Sequence, residues 1–344
     1  VPLLSAAPCG GNLFVVDGQG PKVYRAASGV VTDWAATRGE LVRTATLAVN
    51  WRNRLVLAGT ADDPQNYFMS RQGDPWDFDY GQDDAASAVA GGLSDAGRVG
   101  DPIRALCPVN DDVLILGCTR SLWRLHGDPR QGGWAEKVAD DVGIVGQNAW
   151  TLDPAGVLYF LSEEGLCRMT ALGRPENLSR RRVPQLAGLR AVQPGAAAAA
   201  GERFVTVCCD ARRHGILLLL SPQAEEPGGH WFYDLRLDAF FPESYPPSAG
   251  PTCAAFYNAA EADRRRLLLG GRYGRIYCHD EAAKCDVAVV EGQCREAAID
   301  AYVWTRPRRL LGRALGEAVL VGLTGTLSAG SDGVAYSVHA GDAE

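Results

Sequence analysis

Ile103-Arg-Ala-Leu-Cys107, Val113-Leu-Ile-Leu-Gly117, Leu122-Trp-Arg-Leu125 and Trp134-Ala-Glu-Lys-Val138 follow one another within residues 103 to 138, separated by Pro108 to Asp112, Thr119 to Ser121 and Gly127 to Gly133. Short apolar runs bounded by Gly, Asp, Asn and Pro read as β-strands joined by tight turns, because those residues supply the positive or fixed φ that a reversal needs. Four such strands in succession make one antiparallel sheet. Its two apolar faces need partners on both sides.

The same rhythm recurs along the chain. Asn12 to Arg25 is a strand, an Asp-Gly turn and a second strand. Related units begin near residues 53, 111, 156, 203 and 266. With the first at 12, the intervals are 41, 58, 45, 47 and 63 residues, which bracket the roughly 40 to 50 expected of a propeller blade. The fold expected is therefore all-β: a β-propeller-like toroid of about six four-stranded blades, with five to seven allowed by the counting.

The domain boundaries follow from where the rhythm holds. Residues 1–290 form the propeller, with loop insertions at about 61–101 and 174–200; within the second, Leu178 to Pro184 enters a short helix. Residues 291–344, with runs at Ala301 to Thr305, Ala318 to Leu323 and Val334 to His339, read as an incomplete C-terminal β-sandwich-like segment. Val1 in place of Met and an abrupt end point to a piece of a longer chain.

Composition narrows the function classes. An apolar fraction of 47% and a charged fraction of 22% suit a globular chain, and 40 Gly with 19 Pro suit many turns. A formal charge of −7 argues against specific nucleic-acid recognition. No apolar run approaches the roughly 20 residues of a membrane-spanning helix. Ten cysteines without a CxxC pair read as free thiols of a reducing compartment, with Cys107, Cys118, Cys167, Cys208 and Cys278 as small core residues.

Catalytic and cofactor motifs are missing from the sequence. His126, His214, His230, His279 and His339 lack ligand spacing, and Cys278 beside His279, Asp280 and Cys285 is already explained by strand alternation. There is no GxSxG elbow, and the Gly pairs follow neither the GxGxxG nor the P-loop pattern. The first insertion carries Asp74, Asp77, Asp79, Asp83 and Asp84, but counting from Asp77 the sixth position is Gln82 where an EF-hand loop has Gly. No catalytic residue, metal or cofactor is expected.

The interleaved Trp76, Asp77, Phe78, Asp79 and Tyr80 form the candidate interface, since exposed aromatics supply much of the energy at protein contacts. The competing reading folds them back as a lid over a blade.

Arg54 to Gly59, Ser70 to Phe78, Ser121 to Pro129, Gly143 to Gly146, Tyr159 to Gly165 and Trp231 to Leu235 with Phe240 to Pro242 resemble, in phrase and rhythm, virion structural proteins of short-tailed bacteriophages and prophages, nearest to tail nozzle or hub proteins. The resemblance implies a non-enzymatic tail component, assembled in the bacterial cytoplasm as a homo-oligomeric ring around a DNA channel. Its partners would be other tail or portal-adaptor proteins. Two alternatives stand beside it: a carbohydrate-binding or glycoside-hydrolysing propeller, and a cellular interaction scaffold.

Overall fold

Strands this short gain stability only by stacking sheet against sheet, and the computed structural model shows that solution. It describes residues 3–92, 101–195, 197–280, 285–290 and 293–298. Blade 1 is Ser5–Cys9, Asn12–Val16, Lys22–Arg25 and Val30–Asp33; blade 2 is Leu47–Trp51, Arg54–Ala58, Asn66–Met69 and Val89–Gly92. Blade 3 is Ile103–Asn110, Val113–Cys118, Leu122–His126 and Trp134–Ala139. Blade 4 is Trp150–Leu152, Leu158–Ser162, Gly165–Met169 and Glu176–Asn177; blade 5 is Phe204–Asp210, Gly215–Ser221, His230–Asp234 and Ala239–Glu243. Blade 6 shows Pro251–Tyr257, Arg266–Gly271 and Ile276–Cys278 among the described residues.

Every blade is an antiparallel meander with its first strand innermost, and the six lie in a ring as a six-bladed β-propeller. The expected fold class is thus the observed one. The core is a series of layers between blades. Phe14, Val23, Leu55 and Leu57 fill the gap between blades 1 and 2, while Val56, Met69, Leu106 and Leu116 fill that between 2 and 3. Burying each large side chain is worth about 1.5–3 kcal/mol.

Adjacent inner strands are also stitched by hydrogen bonds. Ser5 Oγ donates to Ala48 O and accepts from Ala48 N; Trp51 Nε1 donates to Asn110 O; Gln147 Oε1 accepts from Leu106 N. Further round, Thr151 Oγ1 accepts from Cys209 N, and Thr206 Oγ1 donates to Thr252 O. An innermost strand has one edge without a strand partner, so polar side chains from the next blade supply part of what its backbone lacks.

Several boundaries differ from the sequence reading. The segment 61–101 is not one projecting loop, because Asn66–Met69 and Val89–Gly92 are blade 2's outer strands and the insertion is only what lies between them. Gly91 and Gly92 hide the second of these, since Gly is a poor strand former without a paired neighbour. Likewise Glu176–Asn177 belongs to blade 4, and the short helix expected after Leu178 is a single 3-10 turn at Pro184–Leu186. The unit beginning near 203 starts on a first strand, whereas the others start on second strands, which shortens the interval before it and lengthens the one after it. A hairpin of Cys285–Val290 and Gln293–Ala298 runs through the expected boundary at 290. The three runs expected beyond 300 lie outside the described residues.

Eight described cysteines are free, and Cys9, Cys107, Cys118, Cys167 and Cys208 are buried. Burial pushes the Cys118 and Cys208 thiols up to about 12 and Cys167 to about 11. Cys278 corrects the expectation. It is exposed, on the last described strand of blade 6, where the alternation that suggested a core position puts it on an uncovered surface.

Candidate functional site

Three regions bear on function, and the first is the insertion that carries the candidate interface. Asp77–Phe78 pairs in parallel with Arg38–Gly39 from the connection between blades 1 and 2, and Thr37 N donates to Trp76 O at 2.7 Å. Gly39 is required there: at φ 69°, a side chain would bring its Cβ to 2.1 Å from Phe78 O. Phe78 is fully buried and Asp77 is 3% exposed. Phe78 meets Trp34 with ring centroids 5.8 Å apart, Trp76 meets Phe14 edge-on at 5.3 Å, and Arg25 lies 5.1 Å over the Trp76 ring. Asp79 and Tyr80 are half-buried.

The aromatic docking surface expected at Trp76, Asp77, Phe78, Asp79 and Tyr80 therefore loses its basis. These rings cover a gap between two blades of their own chain, which was the competing reading. The carboxylates are spent locally as well. Asp74 accepts from Trp76 N, Asp77 from Asp79 N, Asp79 from Gly81 N and Gln82 Nε2, and Asp84 pairs with Arg71 at 2.8 Å. These contacts hold the Asp79 and Asp84 carboxyls below their ordinary range, chiefly through Gln82 and Arg71 respectively. Among the described residues no group of three or more His, Cys, Asp or Glu is placed to hold a metal ion.

What pins the insertion is Arg54, fully buried in the second strand of blade 2. Its Nε and Nη2 donate to the two carboxylate oxygens of Asp128 at 2.9 and 3.3 Å, and Nη1 donates to the carbonyls of Ser70, Ala86 and Ser87. Sequence reasoning passed over this pair. The available signal was an arginine opening an apolar strand, Arg54-Leu-Val-Leu-Ala58.

The second region is the connection from blade 4 to blade 5. Its base is closed by Val192 N to Arg203 O and Arg203 N to Arg190 O. From there it reaches over one face of the ring: Gln193 Nε2 donates to Val145 O at 2.8 Å, and Gly195 packs against Asp17, Gly18 and Thr46 at the junction of blades 1 and 2. A Cβ on Gly195, at φ 73°, would lie 2.9 Å from Asp17 O.

The third lies at the outer rim between blades 3 and 4. His126 and Trp134 face each other across neighbouring strands, with stacked rings at 4.4 Å and 19°. Glu136 Oε1 takes His126 Nε2 at 3.0 Å and an Arg124 Nη1 hydrogen, while Arg124 Nη2 donates to Gly173 O of blade 4. Trp134 is 56% exposed.

Elsewhere several charged groups are paired with one another. Arg213 binds Asp210 and Glu243, and Tyr245 donates to the other Glu243 oxygen. Arg182 and Tyr233 both donate to Asp238 and hold its carboxyl far below the ordinary range. Burial depresses His230 to about 4.

No protein-family model and no curated protein matches the chain. Solved structures do. A "putative 6-phosphogluconolactonase" from Bacteroides uniformis is 10% identical, with a TM-score of 0.51 over 85% of this chain and 83% of that one. Virginiamycin B lyase from Staphylococcus aureus is 9% identical, with a TM-score of 0.47 over 83% and 87%. The calcium-binding protein regucalcin from Agrobacterium tumefaciens is 17% identical, with a TM-score of 0.42 over 79% and 84%. The chain spans 40% of the extracellular domain of a two component system from B. thetaiotaomicron that it also matches, at a TM-score of 0.41 and 12% identity. At these identities the likeness shows the propeller fold. The expectation of a bacteriophage tail nozzle or hub is corrected with it: the structure matched at a TM-score of 0.51 is described as a "putative 6-phosphogluconolactonase", and none of the solved structures named here is described as a tail component.

Proposed function

We propose that this propeller is a recognition module that binds a partner without changing it chemically. The observation that supports the reading is that its clustered charges are bonded to one another. General acids, bases and nucleophiles need a group left poised for the substrate, whereas Arg54 with Asp128, Arg213 with Asp210 and Glu243, and Arg182 with Asp238 are bonded to one another. His230 is neutral above pH 4 and its Nδ1 already accepts from Leu220 N.

A thermal-shift screen of the purified chain against oligosaccharides, nucleotides and lactones tests this. Ligands that raise Tm are expected to be recovered unchanged by mass spectrometry. Catalytic consumption of such a ligand beyond one equivalent per chain would overturn the reading.

A further inference from the structure

We infer that the outer cleft between blades 3 and 4, formed by Trp134, His126, Glu136 and Arg124, is a binding site for a neutral saccharide. The argument begins with how Trp134 is held. The turn before it is built on Asp128, whose carboxylate is clamped by Arg54 and whose carbonyl accepts from Gly133 N at 2.8 Å. Gly133 fits only without a side chain, since a Cβ would lie 2.6 Å from the Asp128 carbonyl. Trp134 therefore starts its strand from a rigid base, with His126 stacked on one face of its ring. Yet it is more than half exposed. A large aromatic that is both fixed and uncovered is a preorganised platform, because little ordering remains to be done when a ligand arrives.

The floor of the cleft shows what kind of ligand fits. Arg124 is 5% exposed and offsets the Glu136 charge, so the pair presents no unbalanced ion. A charged ligand would find no counter-charge, whereas a neutral one with many hydroxyls needs none. Both bonds to Glu136 use Oε1, which leaves Oε2, on a side chain 36% exposed, without a hydrogen bond from the protein. On the blade 4 side, Arg124 Nη2 donates to Gly173 O, which ties the floor to the blade 4 turn. An uncovered flat aromatic face beside an unbonded carboxylate oxygen suits a pyranose ring, with its C–H face on Trp134 and its hydroxyls on Glu136. Trp134 was passed over in the sequence because it reads as an ordinary strand residue. Only the pairing with His126 and Glu136 marks it out.

Tryptophan fluorescence and calorimetric titrations with cellotriose, xylotriose, mannotriose and chitotriose test the proposal, with choline chloride and a polyproline peptide as competing ligand classes. At least one trisaccharide should bind. Trp134→Ala should weaken it by about tenfold or more and Glu136→Gln by several-fold, while Tyr273→Ala, an exposed aromatic on blade 6, should leave it unchanged. Trp134→Phe should retain part of the affinity, and circular dichroism should show each variant folded. Absence of binding by all four saccharides, binding indifferent to Trp134→Ala, or preference for choline or the peptide would overturn the site. Hydrolysis of a saccharide bound in a Trp134-dependent way would support it, while overturning the reading of the propeller as non-catalytic.

Discussion

The insertion in blade 2 and the connection from blade 4 to blade 5 both leave the regular blade pattern and both lie against their own ring, but they are held by different physics. In the first, Trp76 and Phe78 enter an aromatic layer, and Arg54 gathers four carbonyls and a carboxylate from blade 3. The second anchors Leu178, Val183, Leu186 and Ala191 in the core, and only its Ala- and Gly-rich end reaches across the ring, through a side-chain amide and a close approach of Gly195 to Gly18. One has a core of its own. The end of the other has only backbone shape. Segments with few buried apolar contacts open at the least free energy, so the two should respond very differently to perturbation.

Arg54→Ala should be the most damaging change, because it leaves the fully buried Asp128 without its counter-ion. Loss of one partner of a buried pair costs about 3–5 kcal/mol, to be read from urea denaturation. Arg54→Met combined with Asp128→Leu should recover part of that loss; equal destabilisation by the single and double changes would show that the carbonyl contacts, not the ion pair, dominate.

Phe78→Ala should cost about 3 kcal/mol through the cavity it leaves against Trp34. A change below about 1 kcal/mol in the same measurement would mean that the insertion is peripheral to stability.

The base of the second connection supplies a pH test. His230 lies beneath it, where burial and the nearby Arg203 lower its pKa to about 4 from an ordinary 6.5. Between those values the unfolded chain takes up a proton that the folded chain refuses. This contribution is therefore absent above pH 6.5 and destabilises progressively as pH falls toward 4, by up to about 3 kcal/mol. Denaturation midpoints followed from pH 7 to 4 should fall less steeply in His230→Gln; parallel slopes would refute the assignment.

Gly195→Val should have the smallest effect on global unfolding, about 1–2 kcal/mol, since a branched side chain is strained at φ 73° and meets Asp17 O. Its mark should be local: faster proteolysis within 190–203 with the blade 2 insertion still protected. Equal protection of both segments in wild type and variant would erase the contrast drawn between them.

Much of the architecture was readable in the chain itself. Asn12 to Arg25 and Ile103 to Val138 carry their turns and apolar runs locally, and a pattern local in sequence survives without knowledge of the fold. That determined the all-β class, the blade unit and the approximate count of six. The tertiary structure decided the rest, because each remaining feature joins residues far apart. Whether Trp76 and Phe78 face water or core depended on a gap between two blades. Arg54 finds Asp128 across 74 positions. Trp134 becomes a platform only when His126 backs it and Glu136 and Arg124 floor the cleft beside blade 4. Periodicity reports what a residue does within its own strand. It is blind to which blade arrives opposite, and in a propeller burial, charge pairing and the candidate binding cleft are all made between blades.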